Sequence, residues 1–157
     1  MSFVEDLHTF LLNKNITISV AESCTAGLIG SSLTTLPGSS KYFLGGVIAY
    51  NNVIKTNILG VSQELISQKT EVSKEVAQQM AKNICLKFNS NYSLSTTGYA
   101  GPSSVGSQKV GTVFIAVSNG IETLSEKFIF KGNRREVIDK STYQAIEFLY
   151  SYIKKHF

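Results

Sequence analysis

Ser23 stands where the apolar run Ile16-Thr17-Ile18-Ser19-Val20-Ala21 gives way to Glu22-Ser23-Cys24-Thr25-Ala26-Gly27, and a helical stretch, Leu28 to Leu36, follows. A strand-to-helix junction collects unpaired backbone N–H groups and the positive end of the helix dipole, which can stabilise an anion or an oxyanion. A hydroxyl placed there is a candidate nucleophile. The hydroxyl of Ser23 or Thr25 would equally serve as a helix cap, and for an isolated strand-serine-helix the cap is the commoner use. The only histidines are His8 and His156, close to the two termini, so a Ser-His-Asp triad does not suit a serine at position 23. The proton of an attacking serine must then go to a desolvated lysine or to a tyrosine acidified by a nearby cation. Burial disfavours an ammonium and a helix N-terminus repels it, so the junction that would hold an oxyanion would also push a lysine toward its neutral form. Lys55 is the candidate.

These residues need elements to bring them together. Val4 to Lys14 carries Val4, Leu7, Phe10 and Leu11 at helical spacing, and the first strand and the post-serine helix follow it. Phe43 to Asn51 reads as a second strand, with Gly45-Gly46 marking a close backbone or ligand approach and with Tyr50 and Lys55 at its exit. Ser73 caps a long helix with Val76, Ala77, Met80, Ala81, Ile84, Cys85 and Phe88 in one stripe, which places Cys85 in the core. Tyr92 to Thr97 reads as a third strand running into a glycine- and hydroxyl-rich loop that continues to Lys109. Val110 to Ser118 and Glu122 to Phe130, joined by Asn119-Gly120, read as an antiparallel hairpin, so the sheet is mixed. Arg134 to Lys155 closes the chain as a helix with Val137, Ile138, Ala145, Ile146, Leu149 and Ile153 inward. The expectation is an α/β fold with five strands and about four main helices.

With 157 residues, 43% hydrophobic and 17% charged, the chain suits a single domain, 1–157, able to bury about two thirds of its unfolded surface. No apolar run approaches the roughly 18 residues of a membrane span, and Glu5 and Asp6 stand where a signal peptide would be basic. A cytoplasmic location is expected. Cys24 and Cys85 lack zinc-site spacing, so no metal is implied. The net charge of +4 is scattered. Its densest groups, Lys131 with Arg134 and Arg135 and the pair Lys154 and Lys155, lack the interleaved aromatics of a nucleic-acid platform. A single phosphate would suit the Arg134 group equally well.

In their order along the chain, several motifs resemble the C-terminal domain of the CinA competence/damage-inducible proteins, a family that includes nicotinamide mononucleotide deamidases. They are Ala21-Glu22-Ser23-Cys24-Thr25 with Gly27, Pro37-Gly38-Ser39-Ser40, Tyr50-Asn51 with Lys55, and Leu59-Gly60-Val61. Val72-Ser73, Thr97-Gly98 with Ala100-Gly101-Pro102, Val110-Gly111-Thr112-Val113, and Gly132 with Arg134 complete the set. The resemblance spans nearly the whole chain and implies a three-layer α/β/α sandwich on a mixed, mainly parallel five-stranded sheet. It implies hydrolysis of nicotinamide mononucleotide to nicotinate mononucleotide and ammonia, in pyridine nucleotide recycling, by a Ser/Lys mechanism without cofactor. Ser23 would be the nucleophile, Lys55 the base and then the acid to the leaving ammonia, and Tyr50 a hydroxyl that relays or orients the proton.

Backbone N–H groups from Thr25 through Ala26 to Gly27 are the oxyanion candidates, and Ser23 is favoured over the adjacent Cys24 because neighbouring side chains diverge. Thr97, Gly98 and Gly101 would shape the pocket wall, and Arg134 would bind phosphate or hold that wall. Ser40 has a binding role at most, and Glu22 either meets Lys55 or a ribose hydroxyl or satisfies the helix start. The partners are a small nucleotide substrate and, by resemblance, further copies of the chain; neither nucleic acid nor membrane is expected. The N-terminal domain often fused in this family has no counterpart in these residues, so activity residing there is not expected. The chain departs from the family pattern at Ala26, where glycine is usual, at Asn133 and Ile138, and in the loop Ser103 to Lys109. The alternative reading is therefore a catalytically idle nucleotide-binding or regulatory domain that keeps the pocket.

Overall fold

The structure, a computed structural model, describes residues 3–157. The chain runs α1 (Phe3–Lys14), β1 (Ile18–Glu22), α2 (Leu28–Leu33), a 3-10 turn (Ser39–Lys41), β2 (Phe43–Ile48), α3 (Asn52–Asn57) and α4 (Gln63–Lys69). It continues with α5 (Lys74–Phe88), β3 (Tyr92–Gly98), β4 (Thr112–Ser118), β5 (Thr123–Ile129) and α6 (Arg134–Lys154). The five strands form one mixed sheet in the order β2-β1-β3-β4-β5. β1 is parallel to β2 and β3, and β4 is antiparallel to both β3 and β5, so β4 alone runs against the other four strands.

The alternation of side chains along the strands builds two faces. Ile18, Val20, Leu94, Val113, Ile115 and Val117 join Leu11 of α1, Ile29 of α2 and Leu149 of α6 in one core. On the other face Ala21 packs with Val76, Met80 and Ile84 of α5, which completes the three layers. That second interface is partly polar. Ser93 and Ser95 of β3 donate to Ala81 O and Ala77 O of α5 at 2.6 Å each, and Ser19 of β1 reaches Ile84 O at 3.5 Å. A buried hydroxyl is tolerated when it is bonded, and alanines on the helix let the backbones approach closely enough for these bonds.

Several boundaries differ from the sequence reading for local reasons. The helix expected over Leu28 to Leu36 stops at Leu33. Ser32, Thr34 and Thr35 turn their hydroxyls onto carbonyls of the preceding turn, and Pro37 follows. Two helices were not expected: α3, capped by Asn51 to Val53 N at 2.9 Å, and α4, capped by Ser62 to Leu65 N at 3.1 Å. Each is shorter than the window over which an apolar period can be read. The hairpin is present, but Asn119 to Glu122 form a four-residue connection, with Asn119 Oδ1 accepting from Ile121 N and Glu122 N. At Gly46 a Cβ would lie 2.3 Å from Val20 O, so the glycine pair does mark a close backbone approach, beside a register shift between β1 and β2.

Candidate active site

The parallel strands β1 and β3 end side by side, and a pocket opens beyond their C-terminal ends. Ser23, Cys24, Tyr50, Lys55, Glu71, Thr97, Gly98, Tyr99 and Arg134 are among its lining residues, and it encloses about 460 Å³, part of it open to solvent. Ser23 follows β1 directly and is tied to the neighbouring strand by Ser23 N donating to Thr96 O at 3.0 Å. Lys55 reaches it from α3, which the Asn51 cap starts immediately after β2. The lysine is 1% exposed. Its Nζ lies 3.0 Å from Ser23 Oγ and donates to Ala49 O at 2.8 Å. Burial lowers the Lys55 pKa from 10.5, against opposing fields from Glu71 and Cys24. Desolvation thus favours the neutral amine, the form that can take a proton from a hydroxyl.

Cys24 faces a different fate one residue on. Burial pushes its thiol up to about 12, so it remains protonated at neutral pH and offers no thiolate. Glu22, whose role the residues alone left open, is buried and caps α2. Its Oε1 accepts from Thr25 Oγ1 at 2.7 Å, from Gly27 N at 3.2 Å and from Ile29 N at 2.9 Å, while Oε2 accepts from Gly30 N at 3.0 Å. Because Thr25 Oγ1 donates to the carboxylate, Thr96 Oγ1 must be the donor in the 2.8 Å bond between the two threonines.

This arrangement corrects the expected oxyanion donors. Ala26 N donates to Ser23 O at 3.0 Å and Gly27 N to Glu22, so neither amide is available, and the Thr25 side chain is part of the buried cap. None of Thr25, Ala26 and Gly27 lines the pocket. The amides of Cys24 and Thr25 donate to no other residue among those described, and Cys24 borders the pocket. Ala26 itself sits at φ 47°, the left-handed conformation that glycine adopts without strain.

Tyr50 lines the pocket, yet its hydroxyl does not meet Ser23 or Lys55 among the described hydrogen bonds. It accepts from Arg134 Nη2 at 2.7 Å. Arg134, at the start of α6, also donates through Nη1 to Gly101 O at 2.5 Å. Two of its five N–H donors therefore tie β2's exit and the loop after β3 to α6. Thr97 and Gly98 form the wall as expected, with Thr97 Oγ1 donating to Glu71 O at 2.7 Å; a Cβ on Gly98 would lie 2.6 Å from Val113 Cγ2. Gly101 contributes its carbonyl to the Arg134 bridge. Ser40 is not part of the site. It is exposed in the 3-10 turn before β2, at the opposite end of the parallel strands. His8 and His156 are also elsewhere: His8 bonds Tyr42 and His156 bonds Tyr152 O.

Sequence reasoning missed Glu71, Val72, Tyr99 and Ala100 as lining residues. Tyr99 and Ala100 fall inside the glycine-rich loop already singled out and Val72 in the Val72-Ser73 motif, whereas Glu71 lies between a short helix and a cap with no local signal. Among the described residues no cluster of His, Cys, Asp and Glu could hold a metal ion, and no helix is long and apolar enough to cross a membrane.

Comparison with known proteins matches residues 1–153 to the CinA C-terminal domain. A CinA-like protein from Flavobacterium psychrophilum is 43% identical over 152 residues, covering 96% of this chain and 36% of the relative. A putative competence-damage inducible protein from Halothermothrix orenii is 41% identical, covering 99% of this chain and 38% of that protein. The chain thus spans well under half the length of these curated relatives. Among solved structures, the competence/damage inducible protein CihA from Agrobacterium tumefaciens superposes with a TM-score of 0.91 at 30% identity, covering 95% of this chain and 92% of that one. The competence or damage-inducible protein from Enterobacter asburiae gives 0.89 at 26% identity, with 92% of each chain covered. With the motifs in order, the fold shared and the family matched almost from end to end, the chain belongs to the CinA C-terminal domain family.

Proposed function

We propose that the pocket is the active site of a Ser/Lys amidohydrolase that converts nicotinamide mononucleotide to nicotinate mononucleotide and ammonia. The observation that carries this reading is the 3.0 Å approach of the buried Lys55 Nζ to Ser23 Oγ. Neutral Lys55 takes the Ser23 proton as Oγ attacks the carboxamide carbon. The carbonyl oxygen gains the negative charge, and the Cys24 amide beside the nucleophile is the candidate donor to it. The C–N bond then breaks, and the Lys55 ammonium delivers its proton to the departing nitrogen, which leaves as ammonia. Water attacks the resulting ester, with Lys55 again accepting the proton, and nicotinate mononucleotide departs with Ser23 restored. Arg134 and Tyr50 hold the mouth of the pocket, and the guanidinium donors not engaged by Gly101 and Tyr50 suit the substrate phosphate.

Wild type and Ser23→Ala, incubated with nicotinamide mononucleotide without added metal, test the reading by release of ammonia together with nicotinate mononucleotide. Release by the wild type, with a loss of at least about 10³-fold in the variant, is the expected result. Binding of the nucleotide without release by the wild type would favour the idle nucleotide-binding domain.

A further inference from the structure

Glu71 shares the pocket with Ser23 and Lys55 but has no task in the steps above. It lies in the connection between the C-terminus of α4 and the Ser73 cap of α5. Its backbone is fixed from several sides. Thr97 Oγ1 donates to Glu71 O at 2.7 Å, and the next carbonyl, Val72 O, accepts from Thr70 Oγ1 at 3.2 Å and from Gln108 Nε2 at 2.7 Å. Thr70, immediately before it, is held at φ 69°, a conformation that a β-branched residue adopts only when its surroundings impose it. The Glu71 carboxylate is therefore mounted on a braced segment. It is half-buried, and no hydrogen bond or ion pair engages it among the described residues. The two basic side chains of the pocket are engaged elsewhere: Lys55 with Ser23 and Ala49, Arg134 with Gly101 and Tyr50.

We propose that Glu71 is a specificity residue that selects a positively charged aromatic ring over an uncharged ring of the same shape. The inference rests on the amidohydrolase reading of this site. Hydrolysis of an amide needs a nucleophile, a base and oxyanion donors; Ser23, Lys55 and the Cys24 amide fill these roles, and no hydrogen bond joins the Glu71 carboxylate to Ser23. Binding does use it, because a unit charge spread over a pyridinium ring is matched by an anion in a partly desolvated wall, where the attraction exceeds its value in water. The same carboxylate raises the Lys55 pKa, so a bound cationic ring offsets its field and favours the neutral lysine.

The test compares two probes, nicotinamide mononucleotide and its 1,4-dihydro form, whose ring is uncharged. Dissociation constants are measured by calorimetry at one ionic strength on Ser23→Ala, and on Ser23→Ala combined with Glu71→Gln or Glu71→Asp. The expected result is that Glu71→Gln weakens the cationic probe about 5- to 10-fold and leaves the uncharged one within about twofold, while Glu71→Asp keeps most of the preference. Equal losses for both probes, no loss for either, or no binding of the cationic probe to Ser23→Ala would overturn the proposal. Ammonia release by the wild type, measured alongside, separates the two ideas. A charge preference without ammonia removes the amidohydrolase and leaves Glu71, whereas ammonia with a preference unchanged by Glu71→Gln does the reverse.

Discussion

A lysine serves as a base at neutral pH only when its surroundings make the ammonium expensive, and Lys55 meets that condition by being almost wholly buried. In the proposed mechanism the active form is the neutral amine, so kcat/KM should rise with pH through the free-enzyme pKa of Lys55, at an inflection below 10.5. Glu71 raises that pKa, so Glu71→Gln removes an opposing field and should move the inflection to lower pH. A pH profile of both proteins checks this; an inflection that stays in place or rises on substitution would contradict it. Ala26 makes a separate prediction. At φ 47° an alanine carries strain that glycine does not, partly offset by glycine's freer unfolded chain. Ala26→Gly should stabilise the protein by about 0.5 to 1 kcal/mol, a rise in Tm of roughly 1 to 4 °C by thermal unfolding. At this level the residues were legible where chemistry is local. The lack of a mid-chain histidine pointed to lysine, and Ala26 stood out against an expected glycine. Tyr50 was not, because its partner Arg134 lies 84 positions away and decides which way the hydroxyl is used.

The short helix α2 exists because of one carboxylate. Its first amides have no helical partner, and Glu22 accepts from three of the backbone N–H groups at this end and from Thr25. The same bonds hold the turn that carries Ser23 and Cys24, so the cap fixes Ser23 without touching it. Glu22→Ala leaves these buried donors unpaired and should cost about 3 kcal/mol, lowering Tm by roughly 6 to 12 °C. A fall within about 2 °C, measured by circular dichroism, would show that the cap is dispensable. Long elements were readable from their period: α5 and α6 each present one apolar stripe to the sheet. α3 and α4 were not, yet α3 delivers Lys55. Its legible mark was the Asn51 cap, a polar residue that marks a helix start only when the chain after it turns back on itself.

Across the molecule, the sheet order brings distant segments to one edge. β1 and β3 are parallel neighbours, which sets Ser23 against Thr96, and β4, β5 and α6 return the chain so that Arg134 closes over Gly101. Five strands and a mixed sheet could be expected from alternation, glycine turns and the Asn-Gly hairpin signal. The connection carrying Glu71 could not, because its place in the pocket depends on Thr97 from β3 and Gln108 from the long loop. Ser40 shows the opposite failure: a motif residue lay near the serine in sequence, but β2 carries it to the other end of the sheet. In the proposed chemistry the assembled site forms an ester at Ser23. Turnover of nicotinamide mononucleotide in the presence of hydroxylamine, with products separated by mass, tests that step most directly. The account predicts a hydroxamate formed at the expense of nicotinate mononucleotide in the wild type, with both products lost in Ser23→Ala. Undiminished nicotinate mononucleotide from Ser23→Ala would mean that water attacks the amide directly, and the serine nucleophile would have to be abandoned.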